Sequence, residues 1–351
     1  MSKFNGKNLN VEIIGESHSP EMKMTVKGFP KFTFSLDKLT AFLNRRKASS
    51  NAFSTPRKES DEPIFTNADN CLIDGDFSVI IKNENVKSKD YSSLYGKPRP
   101  SHADYAWHLK DGVLDFSGGG RFSARLTAVY AVLGSLCKQY LESRGIKISA
   151  YLQSVGGVFA RSYRDNEPTF EEIENLTKDF PSLDKKEEML AEIEKARLNG
   201  DSVGGVVEVI VHGLPSGIGD NLFEGLEGKL SSLIFSIPAV KGVEFGNGFD
   251  MAKSYGSLVN DSLYYDGEVI KLSSNNNGGI NGGISNGFNL TMRVAFKPTP
   301  SISKEQNTID LVNKKNVKIK IEGRHDACVA VRGVPCVESA VAIALLDEII
   351  G

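Results

Sequence analysis

Two histidines lie in polar loops among charged neighbours: His18 in Gly15-Glu16-Ser17-His18, and His102 in Arg99-Pro100-Ser101-His102-Ala103-Asp104. Histidine titrates near pH ~6.5, so either could deliver or take a proton at neutral pH. Each is also compatible with an ordinary surface position, which is how His108 and His212 are read. The run Gly118-Gly119-Gly120-Arg121-Phe122-Ser123 opens a long apolar stretch. Its glycines admit unusual backbone angles, a helix start offers free N–H groups, and Arg121 adds a full charge, which together make an anion site. The alternative is a helix-start loop that merely packs closely. Arg324-His325-Asp326 follows a strand expected to end at Ile321, where a loop could build a site or hold a local salt bridge. Arg45, Arg46, Lys47, Arg57 and Lys58 crowd 14 residues. Complementing a helix C-terminus accounts for the first three of these but not the last two. No metal-ligand spacing, Walker loop or Gly-x-Ser-x-Gly turn is present. The chemistry these residues suggest is proton transfer beside a bound anion.

The elements that must position them can be read from periodicity. Met22, Met24 and Val26 alternate with polar residues as a half-buried strand ended by Gly28-Phe29-Pro30. Leu36, Leu39, Phe42 and Leu43 recur at helical spacing behind a capping Ser35. Residues 49–62 are expected to form a loop, 78–83 a strand and 90–106 irregular chain. Ala124 to Leu141, apolar nearly all round and stopped by Gly145, should be a central buried helix. Residues 166–200 form a charged peripheral helical segment within a single domain spanning 1–351, with a Thr169/Glu172 capping box and a stop at Asn199-Gly200. Phe223, Leu226, Leu230 and Leu233 mark another helix ended by Pro238, and the last helix is expected to start near Pro335.

A repeat runs through this pattern. Glu16-Ser17, a strand, then Gly28 and Pro30 recur as Asp201-Ser202, a strand, then Gly213 and Pro215, an offset of 185 residues. A looser third copy runs through Ser285, Val294, Phe296 and Pro298. Two similar α+β halves packed as one unit explain this better than two independent domains.

Composition bounds the function. The chain has 351 residues, 40% hydrophobic and 25% charged, with formal charge −2, so neither nucleic acid nor an anionic membrane is expected as partner. The cations for an anionic ligand must then be gathered locally. Four cysteines without a CxxC pair read as reduced thiols, and no apolar run reaches the ~20 residues of a membrane span. With no signal-peptide pattern at the N-terminus, a cytoplasmic protein is expected.

Taken in order, these segments resemble the chorismate synthase family along nearly the whole chain. The likeness rests on Gly15 to His18, Asn44-Arg45-Arg46, Thr55 to Glu59, Asp90-Tyr91-Ser92, Arg99-Pro100 with His102 to Tyr105, Gly118 to Ala124, and Asp201 to Gly205. It continues through Ala239 to Glu244, Gly282 to Gly287, Lys297 to Ser301 and Gly323 to Asp326. The resemblance implies a β-α-β sandwich of two similar halves, with helices packed between antiparallel sheets, in a homotetramer. It implies loss of phosphate and the C6 hydrogen from 5-enolpyruvylshikimate 3-phosphate, with reduced FMN required although the net reaction is not a redox change. It assigns His18 to the departing phosphate, His102 to the reduced flavin and Asp326 to the C6 proton. Flavin contacts carry over to Arg121, Phe122, Ser123, Pro238, Ala239, Gly282, Lys297, Pro298, Thr299, Pro300, Ser301 and Arg324. Arg46, Arg57, Arg99, Arg125 and Arg332 are the candidate substrate cations, and Arg46 also matches an NADP-linked position, NADPH being a possible source of reduced flavin. The chain departs from the family where Ser19 and Ser101 replace Gly, where Phe122 replaces Ser and where Leu126 replaces Glu. It departs also at Ala52, Asn276 and Pro238. A flavin- or anion-binding member without turnover and an NAD(P)H-dependent flavin reductase are the competing readings.

Overall fold

The computed structural model describes all residues except 48–58, 70, 85–93, 117, 177–179, 322–325 and 351. Its first half runs β1 (Ser2–Asn5), β2 (Asn10–Ile14), β3 (Glu21–Lys27), β4 (Phe32–Thr33), α1 (Leu36–Arg46), β5 (Ile64–Asp69), β6 (Leu72–Lys82), α2 (Asp104–Asp111) and α3 (Thr127–Ser143). The second half opens with β7 (Lys147–Val155), β8 (Val158–Phe159), α4 (Phe170–Glu174), α5 (Lys186–Leu198), β9 (Gly205–His212) and α6 (Leu226–Phe235). It continues through β10 (Val240–Phe245), α7 (Gly256–Val259), β11 (Leu263–Asp266), β12 (Val269–Leu272), β13 (Ile280–Asn281) and β14 (Ile284–Ser285). It closes with β15 (Leu290–Phe296), β16 (Gln306–Asp310), β17 (Lys315–Ile319) and α8 (Ala330–Ile349). Among the described residues, the two larger antiparallel sheets are ordered β1-β2-β3-β6-β4, with β5 also on β6, and β10-β15-β9-β7-β8, while β11-β12, β13-β14 and β16-β17 form two-stranded ribbons.

The repeat is visible in the pairing. β2 and β3 pair with Asn10 opposite Lys27, and β7 and β9 pair with Lys147 opposite His212. β3 then pairs β6 as β9 pairs β15, while α1 and α3 in one half correspond to α6 and α8 in the other. The repeated glycine has one cause in both halves. Gly28 (φ +80) and Gly213 (φ +74) turn the chain in the left-handed region, where a Cβ would collide with the carbonyl oxygen of Asn8 or of Gly145 at the start of the neighbouring strand. The looser third copy is no further unit, because β15 lies between β9 and β10 within the second sheet.

The helices fill the space between the sheets, which explains sequences apolar all round. Thr127 to Leu141 of α3 are all buried, as are nearly all of Ala330 to Asp347 of α8. α3 and α8 pack backbone to backbone at Gly134, where any Cβ would collide with Ser339. Glu338 ties this layer together: it accepts two hydrogen bonds from Arg45 (2.9 and 2.7 Å) and one from Lys138 (2.9 Å), joining α8 to α1 and α3. Burial would raise its pKa, but Arg45 and Lys138 hold it down to about 2. At the other end of α8, Asp347 accepts from the backbone N–H groups of Lys7 (2.9 Å), Asn8 (2.8 Å) and Leu9 (2.7 Å), fixing the β1–β2 turn.

Several boundaries differ from those expected. β6 starts at Leu72, well before 78, because its N-terminal part pairs β4 and β5. Irregular chain gives way to α2 at Asp104. Phe223 is not on the α6 face: it lies 95% exposed in a single 3₁₀ turn before that helix. α8 begins at Ala330, not near Pro335, and Pro335 sits inside it. Tertiary packing of the buried Ala330 and Val334 holds a turn that lacks one N–H. The peripheral segment forms α4 and α5, with the Thr169/Glu172 capping box and a left-handed Gly200 after Asn199. The expected loop over 49–62 lies mostly outside the described residues.

The Glu338 cluster gives a first prediction. Glu338→Gln leaves two buried cations without a counter-charge and should cost about 3–5 kcal/mol at pH 7. Because the folded carboxyl titrates near 2 rather than its ordinary 4.5, the charge stabilises fully above 4.5 and loses that advantage as pH falls toward 2. Urea melts of both proteins at pH 7 and near pH 3 should therefore show a gap that narrows in acid. An equal gap at both pH values would assign the loss to packing.

Candidate active site

The N-terminal ends of α3 and α8 both reach one pocket of about 1090 Å³, which Thr127 and Val329 help to line. The apolar character of these helices buries them, and their polar preceding segments are left at its wall. Among the described residues, eight Lys or Arg side chains line the pocket (Lys3, Arg99, Lys110, Arg121, Arg125, Lys241, Lys297 and Arg332) against one carboxylate, Asp326. A protein of nearly balanced charge has thus concentrated cations in one concave place, which focuses an anion there.

Both candidate histidines line it. His18 follows the β2 hairpin, and its Nδ1 lies 2.9 Å from Ser17 Oγ. Gly118 (φ +62) packs directly over it, where a Cβ would strike the imidazole. The glycine run therefore seats a histidine. It does not open α3 directly, as expected, because two 3₁₀ turns, Gly120–Phe122 and Ala124–Leu126, come between. His102 precedes α2. Its Nδ1 is 2.5 Å from Asp104 Oδ1, an arrangement in which Nδ1–H donates and Nε2 is left for proton exchange. Burial lowers the pKa of His102, with Arg99 and Lys297 lowering it further and Asp104 opposing them. Asp104 itself is held at about 2, against its burial, by hydrogen bonds from Arg99 and His102.

The arginines divide. Arg99 is buried, donating to Asp104 from Nε (2.7 Å) and to the Gly118 carbonyl (2.5 Å), so it ties the His102 loop to the His18 cover. Arg125 Nε donates to Asn83 (2.8 Å), and its Nη1 pairs with Asp61. Asp61 also pairs with Arg46, which is only 2% exposed and does not line the pocket. An NADP-facing role for Arg46 requires exposure, and this ion pair withdraws it. Arg332 donates to Asp326 (2.7 Å) and to the Arg46 carbonyl (3.1 Å). Arg57 and Arg324 lie outside the described residues.

Among the expected flavin contacts, Arg121, Phe122, Ser123, Pro238, Ala239, Lys297, Thr299, Pro300 and Ser301 line the pocket. Pro298 is not among its lining residues, and Gly282 sits in the β13–β14 turn away from it. Ala239 is held at φ +74, with its carbonyl accepting from Lys297 N–H (2.9 Å), and backbone strain of this kind marks functional places. Lys297 Nζ donates to Ser101 O (2.5 Å), and burial followed by Lys241 lowers its pKa. Ser101 (φ +57) explains the family's glycine at this position, since the turn is left-handed. Asn276 is remote in role: it bonds Asn247, Val259 and Ser274. Lys110, Lys241 and Asp61 were not singled out by the sequence reading. Lys241 carried a signal, standing two residues after Ala239, whereas nothing local marks Asp61.

A large cationic pocket holding two imidazoles marks an enzyme of small anionic molecules. Comparison with known proteins makes the class specific. The chorismate synthase family profile matches residues 9–350. Chorismate synthases of Dehalococcoides mccartyi and Korarchaeum cryptofilum are 39% and 40% identical, over 99% and 98% of this chain and 96% of each relative. A crystal structure of a chorismate synthase superposes with TM-score 0.74 at 25% identity, covering 98% of this chain and 92% of that one. The chain belongs to the chorismate synthase family. It is accordingly a carbon–oxygen lyase of aromatic amino acid biosynthesis with an α+β fold.

The geometry around His102 can be tested without turnover. In an NMR titration of the ligand-free protein, His102 should titrate below the ordinary ~6.5. Asp104→Asn, which removes the one neighbour opposing the burial effect, should move it lower still, and inorganic phosphate in the pocket should move it up. A His102 that ignores Asp104→Asn would show that the carboxylate does not orient it.

Proposed function

We propose that this pocket binds 5-enolpyruvylshikimate 3-phosphate together with reduced FMN and releases phosphate and the C6 hydrogen to give chorismate, the last common step of the shikimate pathway. The observation that carries the reading is the ring of eight cations and one carboxylate around two histidines. The substrate has a phosphate and two carboxylates, and FMN adds another phosphate. The volume also suits two ligands, since pockets for one drug-sized molecule run roughly 300–1,000 Å³. Apolar side chains such as Leu126, Tyr130 and Pro238 share the wall with Lys297 and Arg121, which fits an amphipathic ring-and-phosphate molecule.

When bound, reduced flavin supplies electron density to the allylic centre and recovers it as the C6 hydrogen leaves. The chain does the rest. Lys297, Arg121 and Ser301 hold the flavin end, and Arg125 and Arg332 face the substrate anions. His18, paired with Ser17, gives a proton to the departing phosphate. Burial lowers the proton affinity of His102 in the ligand-free pocket, and the arrival of anions raises it, which favours proton donation once the site is filled. Asp326 receives the C6 proton, and Arg332 fixes its orientation at 2.7 Å.

A homotetramer in the cytoplasm completes the reading. The exposed apolar side chains Phe249, Tyr255, Leu258 and Tyr265 support self-association, and no described helix is long and apolar enough to cross a membrane.

Anaerobic incubation with reduced FMN and the enolpyruvyl phosphate should form chorismate, and oxidised FMN with NADPH should not. Failure of the first mixture would leave a binding protein without turnover, and success of the second a built-in flavin reductase. His102→Ala should cut turnover by roughly 10²–10⁴ with little change in substrate affinity. Asp326→Asn should cut it by at least ~10² and raise the deuterium isotope effect for C6-labelled substrate. Wild-type turnover and isotope effect in that variant would reduce Asp326 to the structural partner of Arg332.

A further inference from the structure

Arg46 is a buried cation that the proposed chemistry leaves unused. It ends α1 and is not among the residues lining the main pocket. Instead it lines a second, much smaller cavity of about 20 Å³. Thr127 at the start of α3, and Val329, Arg332 and Cys336 around the start of α8, share that cavity with it. The Arg46 guanidinium is tied down on one side only. Its Nη2 pairs with Asp61, and its Nη1 donates to Thr127 Oγ1 (3.3 Å). Its Nε is buried and has no hydrogen-bond partner among the described residues. A charged donor in this state is costly, because it has lost water and gained nothing in return. Asp61 is also shared with Arg125, so Arg46 has only part of one carboxylate. Burial lowers the Arg46 pKa, Asp61 opposes this, and Arg332 and Arg125 lower it further.

Size and wall chemistry select the occupant. A space this small takes one water molecule or one monatomic ion, and no phosphate group. A buried water needs acceptors for its hydrogens as well as a donor for its oxygen. The side chains here have little acceptor capacity left. Thr127 Oγ1 donates to the Ala124 carbonyl (2.6 Å) and accepts from Arg46, and Cys336 Sγ donates to the Arg332 carbonyl (3.5 Å). Ala124, Ile237, Pro238 and Phe296 add apolar surface. The two guanidinium groups donate and never accept. A wall of donors and apolar groups suits an anion that only accepts. We propose that this cavity holds a single halide ion, chloride under ordinary conditions, which accepts from Arg46 Nε and lies beside Arg332. The ion supplies the counter-charge that Arg46 lacks. It also screens Arg46 from Arg332, whose Nε donates to the Arg46 carbonyl (3.1 Å) and whose Nη1 donates to Asp326 (2.7 Å). Partial positive charge at the starts of α3 and α8 favours the same ion. Its structural effect is to steady the junction of α1, α3 and α8.

Two measurements on the full-length protein test this. Crystals grown without halide and soaked in sodium bromide should show an anomalous peak at contact distance from Arg46 Nε. A water molecule there, or no occupant, would overturn the proposal. In solution, with inorganic phosphate filling the main pocket, chloride should raise the melting temperature by roughly 2–4 °C over gluconate at equal ionic strength. Arg46→Lys keeps a cation beside Asp61 but removes the Nε donor, and should abolish both the peak and the chloride difference. A chloride difference that survives in Arg46→Lys would place the stabilising ion elsewhere and overturn the assignment. Should that variant fail to fold, the bromide map of the wild type still decides. Bromide in the wild-type cavity with no chloride effect on melting would make it an adventitious ion only and overturn the structural role.

Discussion

The backbone contact between α3 and α8 at Gly134 and Ser339 sets the rest of the structure. A side chain at 134 would push the two helices apart, and the sheets on either side follow the helices. The same close approach brings Lys138 and Glu338 within bonding distance and lets Arg45 of α1 complete the cluster. It also aligns the helix starts. Arg125 precedes α3, and Asp326 and Arg332 bracket the first turn of α8, so the two halves of the repeat each deliver part of the pocket. Helix starts carry partial positive charge, and two of them at one wall reinforce the cationic side chains.

Within that wall, carboxylates decide which arginines face a ligand. Asp61 lies between Arg46 and Arg125, and Asp104 takes much of Arg99. Without such counter-charges, several guanidinium groups this close would repel each other and open the loops that carry them. The partnered arginines hold His102, the Gly118 cover and the β6 end in register. Lys110, Lys241 and Lys297 add charge with fewer constraints. Arginine thus does structural work at the site, and the ligand meets a mixture of fixed and adjustable cations.

Much of this was legible in the sequence because it is local. The alternation in β3, the Ser35 cap, the all-apolar α3 and the Gly28/Gly213 repeat each follow from a few neighbouring residues. Tertiary packing decided the rest. α8 runs through Pro335 because its first turn is buried against other elements, and Phe223 is exposed because a 3₁₀ turn breaks the apolar series before α6. At the site, His18, His102 and most of the nominated residues line one pocket. Arg46 was not, because its partner Asp61 stands 15 residues away in a segment without periodicity. The purpose of the glycine run was also hidden, since the imidazole it covers is about a hundred residues earlier in the chain.

The Asp347 carboxylate has a consequence for how the molecule comes into being. Three backbone N–H groups at Lys7, Asn8 and Leu9 find their acceptor only on the last turns of α8. Synthesis proceeds from the N-terminus. The first hairpin must therefore wait, its turn bonded to water, until residue 347 has left the ribosome. The first sheet can collapse on α1 and α3 while translation continues, but its other face of the helical layer stays bare until α8 arrives. Arrival of α8 satisfies the β1–β2 turn and covers the helical layer in one step.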